Sequence, residues 1–156
     1  DKAQKALATT EVDISQIEPG KSITVLWRGK PVFLKRRTQE EILEARSVSL
    51  DDLPHPEKDE ERVKSGKDEW LVMLGVCTHL GCNPAYKPDS SDKSLGSDWK
   101  GGFFCACHGS KFDFAGKVFN GAPAGANLKV PPYKFVGENT VVIGEMPNNL
   151  NESELS

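Results

Sequence analysis

All four cysteines of this chain and two of its three histidines fall within two short segments. The first, residues 77–82, reads CTHLGC, and the second, residues 105–110, reads CACHGS. Each segment offers a cysteine and a histidine as ligands, with one further cysteine beside them. Thiolate sulfur and imidazole nitrogen are ligands for zinc, copper and iron–sulfur centres. The pattern therefore predicts a metal centre held between two loops.

The mixture of ligand types favours an iron–sulfur cluster. Two cysteines could hold one iron of a [2Fe–2S] cluster and two histidines the other, which is the ligand set of a Rieske centre. Neutral imidazoles leave less negative charge around the irons than thiolates do, so the potential rises to about −150 to +300 mV. Each imidazole also keeps a titratable N–H, which couples reduction to protonation. This hypothesis predicts a site that takes an electron and a proton from one donor.

Two other interpretations of the same residues stay open on the pattern alone. The cysteines could form two structural disulfides beside incidental histidines, or could combine metal ligands with one bridge. The histidines favour the mixture. The residues could also enclose zinc, although Cys-x-His and Cys-x-x-His are not the usual zinc-finger spacings. Visible absorption separates these cases, because a ferric sulfide centre is coloured whereas zinc and disulfides are not.

Length and charge restrict the class of protein. The 156 residues are enough for one domain with a substantial core. The net charge is −3, and no run of lysine or arginine is long enough to form a nucleic-acid-binding face, so we expect no nucleic-acid partner. No stretch approaches the roughly 20 apolar residues of a membrane span. Residues 1–10 lack the apolar region of a signal peptide.

The hydrophobic pattern predicts an antiparallel, all-β domain with one short helix. The run at residues 70–76 is apolar throughout, which indicates a buried strand. Thr38 and Glu41 fit a capping box at the start of the helix. Strands are expected at residues 11–14, 22–28, 31–35, 70–76, 133–136 and 140–143.

The segments between these elements are predicted to be loops. Residues 51–67 are charged and interrupted by proline, so we expect a solvated face, with His55 as a solvated loop residue. Residues 83–102 are rich in Pro, Ser, Asp and Gly, which predicts a surface loop. Residues 145–156 are predicted to form a polar C-terminal tail.

These motifs together resemble the Rieske iron–sulfur proteins of cytochrome bc complexes, the ubiquinol–cytochrome c reductases. The two cysteine–histidine segments are similar to that family's CTHLGC and CPCHGS boxes, and the resemblance covers residues 11–144. Further similar segments are WRGKPVF at 27–33, ERVK at 61–64, GAPA at 121–124 and NLKVP at 127–131. The resemblance implies an antiparallel Rieske-type sandwich or barrel with an inserted cluster-binding subdomain, about residues 75–124. Residues 1–10 would be the remnant of a hinge linker.

The resemblance also assigns site residues by position. It implies a ligand set for the cluster of Cys77, His79, Cys105 and His108. It further implies a disulfide between Cys82 and Cys107 that ties the two loops together. Such a bond persists in an oxidising compartment, which argues for a site outside the cytosol.

Other positions resemble residues that surround the cluster in this family. Ser110 matches a hydroxyl that hydrogen-bonds a cluster sulfur. Leu80 and Gly81 match the tip that docks at the quinol site, and Pro123 lies in the loop that covers the cluster. Phe112 departs from the family, many members of which have a tyrosine that donates to a cysteine ligand. Without that bond, we expect a midpoint potential lower than that of tyrosine-bearing relatives by on the order of tens of millivolts.

The resemblance implies a role in respiratory electron transport. The chain would carry electrons from ubiquinol to a cytochrome c-type haem, as the Rieske subunit of a quinol–cytochrome c reductase, an enzyme in which the whole complex performs catalysis and the isolated domain is an electron carrier. His79 or His108 would take the proton and electron from the quinol. Expected partners are ubiquinol and the cytochrome b and cytochrome c-type subunits of a dimeric complex. We expect the head domain on the periplasmic side of a bacterial inner membrane, with an anchoring segment upstream of residue 1.

Two alternative functions predict different redox properties. A soluble Rieske ferredoxin that feeds an oxygenase uses the same four ligands, but such ferredoxins lack the bridging cysteine pair. A midpoint potential of about −150 mV would support the ferredoxin, and a clearly positive potential would support the quinol role. A metal-stabilised interaction domain would show no redox wave.

Overall fold

The computed structural model describes residues 9–144, and within them short antiparallel strands predominate, with one α-helix. In chain order the elements are β1 (Thr10–Asp13), β2 (Ser22–Trp27), β3 (Lys30–Arg36), α1 (Gln39–Ser47), β4 (Trp70–Leu74), β5 (Ala85–Lys87), β6 (Gly102–Cys105), β7 (Ser110–Phe112), β8 (Tyr133–Val136) and β9 (Thr140–Ile143). Single-turn 3-10 helices lie at Leu50–Asp52, Asp59–Arg62 and Lys93–Leu95. The predicted all-β class with one short helix is confirmed.

The strands form three antiparallel sheets of three strands each, with the orders β1-β9-β8, β2-β3-β4 and β5-β6-β7. The final hairpin, β8 and β9, has the predicted bounds. Strand β4 is found as predicted but ends at Leu74, two residues earlier than expected. The residues that follow it form the first cysteine–histidine loop.

The sheet β2-β3-β4 packs on both faces, because side chains alternate along a strand. One face carries the base core, whose buried members are Val12, Ile14, Ile17, Val32, Leu34, Trp70, Val72, Leu74, Tyr133, Val141 and Ile143. The opposite face carries the site core, whose buried members are Leu71, Met73, Cys77, Phe103, Cys105, Phe112, Val118, Ala124 and Leu128. A strand that contributes to both cores must be apolar at every position, which explains the continuous run in β4.

Helix α1 begins where the sequence predicts. The Thr38 hydroxyl accepts a hydrogen bond from the Glu41 backbone N–H at 3.2 Å. The Glu41 carboxylate accepts one from the Thr38 N–H at 2.9 Å. This capping box satisfies donors that the first helical turn leaves free. At the other end, Ala45 packs with Phe114 and Ala115, which fastens the helix to the segment after β7.

Most charged side chains of segment 51–67 are exposed, as its sequence predicts, but two of them are buried. Asp59 and Arg62 within it are buried. The Asp59 carboxylate accepts hydrogen bonds from Arg37 at 2.6 and 3.1 Å and from Arg46 at 3.0 Å. Charges can be buried when each is paired and hydrogen-bonded. The prediction was wrong for Asp59 and Arg62 alone, because their partners lie far along the chain.

Residues 83–102 are more than the predicted surface loop. They contain β5, which pairs with β6, and a 3-10 turn. Leu95 and Trp99 are 5 and 4 % exposed, so both side chains are buried. A three-residue strand among turn-forming residues is too short to give a periodic pattern, so the sequence did not predict β5.

The described part of the chain contains no helix long and apolar enough to cross a lipid bilayer. The predicted C-terminal tail lies outside the described residues, as do the first eight residues of the predicted hinge remnant. Thr10, the last residue assigned to that remnant, already belongs to β1.

Candidate metal centre

Both cysteine–histidine segments are tight turns projecting from strand ends. In the first, the Gly81 backbone N–H donates to the Cys77 carbonyl at 3.0 Å. In the second, the Gly109 N–H donates to the Cys105 carbonyl at 2.9 Å. Both glycines have φ near +80°, at 81° and 83°, a conformation that favours glycine. The same local geometry therefore shapes both turns.

A disulfide joins the two turns. Cys82 is bonded to Cys107 across 25 residues of sequence, with Cα atoms 6.5 Å apart. The sulfur atoms of Cys82, Cys105 and Cys107 lie within 4.8 Å of one another. Because two of these sulfurs are oxidised to the disulfide, this group of three is not itself a metal site. Cys77 and Cys105 remain as the free thiols.

The four expected ligands are arranged by depth. Cys77 and Cys105 are 3 and 1 % exposed and belong to the site core. His79 and His108 are exposed, and their ring centroids lie 4.7 Å apart with the ring planes at 88°. The turns thus place two thiols inside the domain and two neighbouring imidazoles at its surface. The donor set fits a cluster bound by sulfur on its inner side and nitrogen on its outer side.

The surroundings of Cys105 act on its thiol in two opposite directions. Burial raises the pKa of the Cys105 thiol, and the adjacent Cys77 side chain raises it further. The backbone N–H groups of Cys107 and His108 donate to the same sulfur and act in the opposite direction. Two thiols this close favour their protonated forms unless a cation compensates the charge. Buried, adjacent thiols that face N–H donors therefore fit iron ligands.

Ser110 begins β7 and is fully buried. Its hydroxyl oxygen accepts a hydrogen bond from the Ala124 backbone N–H at 3.0 Å. A hydroxyl that accepts one bond still has its hydrogen to donate. Ser110 can therefore fix the loop after β7 and donate a hydrogen bond to another acceptor.

A loop at residues 121–127, which we call the cover loop, is fastened to both turns. Ala124 contacts Ser110 next to the second turn, as described above. In the first turn, the Thr78 hydroxyl donates to the Ala126 carbonyl in a short hydrogen bond. Thr78 lies between two of the expected ligands, but the sequence did not predict a role for its side chain. A threonine in a turn has no pattern that indicates a partner 48 residues away.

The other predicted site residues divide by exposure. Leu80 is 65 % exposed, and Gly81 and Pro123 are exposed as well. Phe112 is fully buried within the site core. The docking residues of the prediction thus lie at the surface, whereas the position that departs from the family lies inside.

His55 is exposed, but it is not the free loop residue that the sequence predicts. Its Nδ1 accepts a hydrogen bond from the Asn127 backbone N–H at 2.9 Å. Asn127 is buried and closes the cover loop. Sequence reasoning missed this contact because 72 residues separate the two partners.

The family model of the Rieske [2Fe-2S] domain matches residues 9–133. The chain belongs to the Rieske family. Its cofactor is accordingly a Rieske-type [2Fe–2S] cluster, as the sequence predicted. The predicted antiparallel Rieske fold is confirmed by the same match.

Curated relatives give the branch of the family that this chain resembles. The ubiquinol-cytochrome c reductase iron-sulfur subunit of Bradyrhizobium diazoefficiens is 49% identical over 137 residues, which are 88% of this chain and 72% of the relative. The mitochondrial cytochrome b-c1 complex subunit Rieske of Zea mays is 52% identical over 139 residues, which are 89% of this chain and 46% of the relative. The chain spans about half the length of the plant relatives it matches.

A solved structure agrees in fold. A chain described as hyperthermophilic respiratory Complex III superposes with a TM-score of 0.54 at 30% sequence identity. The superposition covers 84% of this chain and 72% of the other. The Rieske-type architecture therefore extends over most of the chain.

Proposed function

We propose that this chain is the head domain of a Rieske subunit that transfers electrons from ubiquinol to a cytochrome c-type haem. The observation that carries the proposal is the pair of exposed imidazoles, His79 and His108, beside a buried pair of free thiols. The similarity to reductase subunits from a bacterium and from plant mitochondria supports the same role.

In this proposal Cys77 and Cys105 would hold the cluster through sulfur, and His79 and His108 would hold it through ring nitrogens. The bound cluster supplies one-electron redox chemistry at a potential raised by its imidazole ligands. The protein stabilises the charge on the inner side by N–H groups directed at Cys105. Ser110, whose oxygen accepts the Ala124 N–H, would have its hydroxyl hydrogen available to donate to the cluster.

The exposed imidazoles perform the proton part of the reaction. A solvent-facing ring nitrogen of His79 or His108 accepts a hydrogen bond from the quinol hydroxyl and then its proton. Leu80, Gly81 and Pro123 form the surface that docks against the quinol site. Burial of the thiols keeps water away from the inner side, so the outer side is the route for substrate.

The proposed setting is a membrane complex. The head domain works with cytochrome b and cytochrome c-type subunits in a dimer, on the periplasmic side of a bacterial inner membrane. The Cys82–Cys107 disulfide supports an oxidising compartment. The same disulfide argues against an oxygenase-linked ferredoxin, since soluble Rieske ferredoxins lack the bridging pair of cysteines.

The cluster assignment is tested by metal analysis and spectroscopy of the purified protein. We expect iron and acid-labile sulfide in equal amounts, visible absorption, and an electron paramagnetic resonance signal in the reduced state. Cys77→Ser and His108→Gln should each abolish the signal. Retention of the signal in either variant would remove that residue from the ligand set. A clearly positive midpoint potential supports the quinol role, and about −150 mV supports the ferredoxin.

The docking assignment has a matched control elsewhere on the surface. Leu80 and Leu26 are 65 and 67 % exposed, but Leu26 lies on strand β2. In membranes that contain the assembled complex, Leu80→Ser should slow quinol oxidation, whereas Leu26→Ser should leave it unchanged. Equal rates in both variants would exclude Leu80 from the docking surface.

A further inference from the structure

His55 occupies the segment between two 3-10 helices and contacts the cover loop twice. Its Nδ1 accepts the Asn127 backbone N–H at 2.9 Å. Its carbonyl oxygen accepts a hydrogen bond from the Asn127 side-chain amide, also at 2.9 Å. The ring itself stays exposed to solvent. A titratable side chain therefore holds the end of the loop that lies against both cysteine–histidine turns.

Asn127 makes this junction rigid on its other sides. Its side-chain oxygen accepts a hydrogen bond from the Val118 backbone N–H at 2.9 Å. Its amide also donates to the Glu57 carboxylate at 2.8 Å, and Glu57 pairs with Arg62 at 2.8 Å. Asn127 is 2 % exposed, so water cannot replace a partner that is lost. Buried groups left without a hydrogen-bond partner are costly.

The cover loop carries this constraint to the site. Asn127 directly follows Ala126, whose carbonyl binds the hydroxyl of Thr78. Thr78 lies between Cys77 and His79 in the first turn. Three residues before Asn127, Ala124 is bonded to Ser110 beside the second turn. A change at the His55 junction therefore reaches both turns through hydrogen-bonded backbone.

We propose that His55 is a positioning residue for the cover loop and that it acts only when its imidazole is neutral. A backbone N–H can only donate, so the Nδ1 that faces it must carry a lone pair. A proton on Nδ1 would set two donors against each other and break the hydrogen bond to the Asn127 backbone N–H, while the bonds of the Asn127 side chain remain. Protonation of His55 thus loosens residues 121–127 and, with them, the tie to Thr78.

The other charged groups at this junction are Glu57 and Arg62, and neither reproduces this response. Burial alone would raise the pKa of Glu57, but the hydrogen bond from Asn127 and the charge of Arg62 outweigh it and lower the pKa. Glu57 therefore stays ionised at mildly acidic pH. The Arg62 guanidinium offers donors only. His55 is therefore the group at this junction whose protonation removes the acceptor of the Asn127 backbone N–H.

Amide hydrogen exchange of the whole protein, followed by mass spectrometry, tests the proposal. We expect residues 121–127 to exchange roughly three- to tenfold faster in His55→Ala than in the parent protein near neutral pH, after correction for intrinsic rates. The parent protein should approach the variant as the pH falls from about 8 to about 5. Strand β4 serves as an internal reference, because it is buried throughout.

His55→Asn separates positioning from mere packing. The Asn side-chain oxygen can occupy the place of Nδ1 and accept the same N–H, but it does not titrate in this range. Slow exchange that no longer depends on pH is therefore expected. An unchanged rate in His55→Ala would overturn the proposal, as would a pH dependence in His55→Asn equal to that of the parent protein.

The bearing of this junction on the cluster rests on the proposed function, but the exchange measurement does not. If Cys77→Ser and His108→Gln kept the paramagnetic signal, the ligand assignment would fail while exchange at residues 121–127 still followed His55. If the His55 variants did not change exchange at residues 121–127, while the ligand variants did lose the paramagnetic signal, only the positioning role would fail.

Discussion

The two faces of the sheet β2-β3-β4 support interiors that are held together differently. The base core is made of apolar side chains from strands of four to seven residues. Apart from Leu71 and Met73 of β4, the site core takes its buried members from β6 and β7, of four and three residues, and from loops, and it includes the two free thiols. Short strands bury little apolar surface. The site side adds a disulfide and buried hydrogen bonds, so specific ties replace packing where the ligands must be placed.

Removal of the Asp59 carboxylate should give the largest effect and should act on the site side first. Its 3-10 helix also carries Arg62, which donates to the carbonyls of Ala115 and Leu128 near the site core. Asp59→Asn leaves Arg37 buried without its counter-charge, which costs about 3–5 kcal/mol. Urea unfolding measures the loss. Amide exchange should increase more in residues 110–128 than in β8 and β9, and an equal increase would contradict the distinction.

The same pair predicts a dependence of stability on pH. Burial alone would raise the pKa of Asp59, but the hydrogen bonds and charge of Arg37, and then those of Arg46, outweigh it and lower the pKa. The folded protein thus binds this proton less readily than the unfolded chain does. The stabilisation is complete above about pH 4 and is lost as the pH falls further. Asp59→Asn should flatten the acid limb of the stability curve, and an equally steep limb would argue against this origin.

Leu34→Ala and Leu71→Ala compare the two faces with the same chemical change. Both leucines are fully buried, one in each core, on neighbouring strands. Each substitution should cost about 2–5 kcal/mol in urea unfolding. Only Leu71→Ala should release the visible chromophore at urea concentrations below global unfolding. If both variants lost colour and fold together, the two cores would be one cooperative unit.

Loss of the disulfide should have a smaller and more local effect. The double substitution Cys82→Ser and Cys107→Ser removes a covalent link between the two turns, which is worth about 2–4 kcal/mol. We expect visible absorption to be lost on heating before the β-structure melts by circular dichroism, and that melting temperature to fall by roughly 4–16 °C. A melting temperature that fell in step with the colour would show that the base also depends on the bridge.

Phe112→Tyr should give the smallest effect, confined to the reduction potential. Phe112 is fully buried in the site core, which also contains the two free thiols, so a hydroxyl there lies in the interior rather than in water. A hydrogen bond to a cysteine sulfur stabilises the reduced centre, and we expect a rise on the order of tens of millivolts in voltammetry. Phe104→Tyr is the control, because Phe104 is half-buried beside Cys105 on the same strand. Equal shifts in both variants would contradict a specific bond.

Sequence patterns predicted those parts of the molecule whose causes are local. Strand β4 was visible because burial on both faces demands an unbroken apolar run. The start of α1 was visible because Thr38 and Glu41 cap each other across three residues. The two turns were visible because ligand residues are concentrated in them. In each case the residues that specify the feature lie within one short segment.

The remaining features depend on partners that are distant in sequence. The sequence predicts a solvated charge at Asp59, since its burial requires Arg37, which directly follows strand β3. His55 reads as a loop residue, since its partner Asn127 is 72 positions away. Strand β5 exists only because β6 pairs with it. Composition does not predict the burial of Asp59, the contact of His55 or strand β5. Each depends on long-range pairing, which decides whether a residue faces water or protein.

The alternation of side chains along β4 has a consequence for how the chain can vary in length. Trp70, Val72 and Leu74 point into one core, while Leu71 and Met73 point into the other. Insertion or deletion of a single residue in this strand would send every later side chain to the opposite core. A substitution in β4 changes one side chain in one core. A change in length would move several side chains from each core to the other at once. Related chains should therefore differ in the number of residues between β4 and β6, but not within β4 itself.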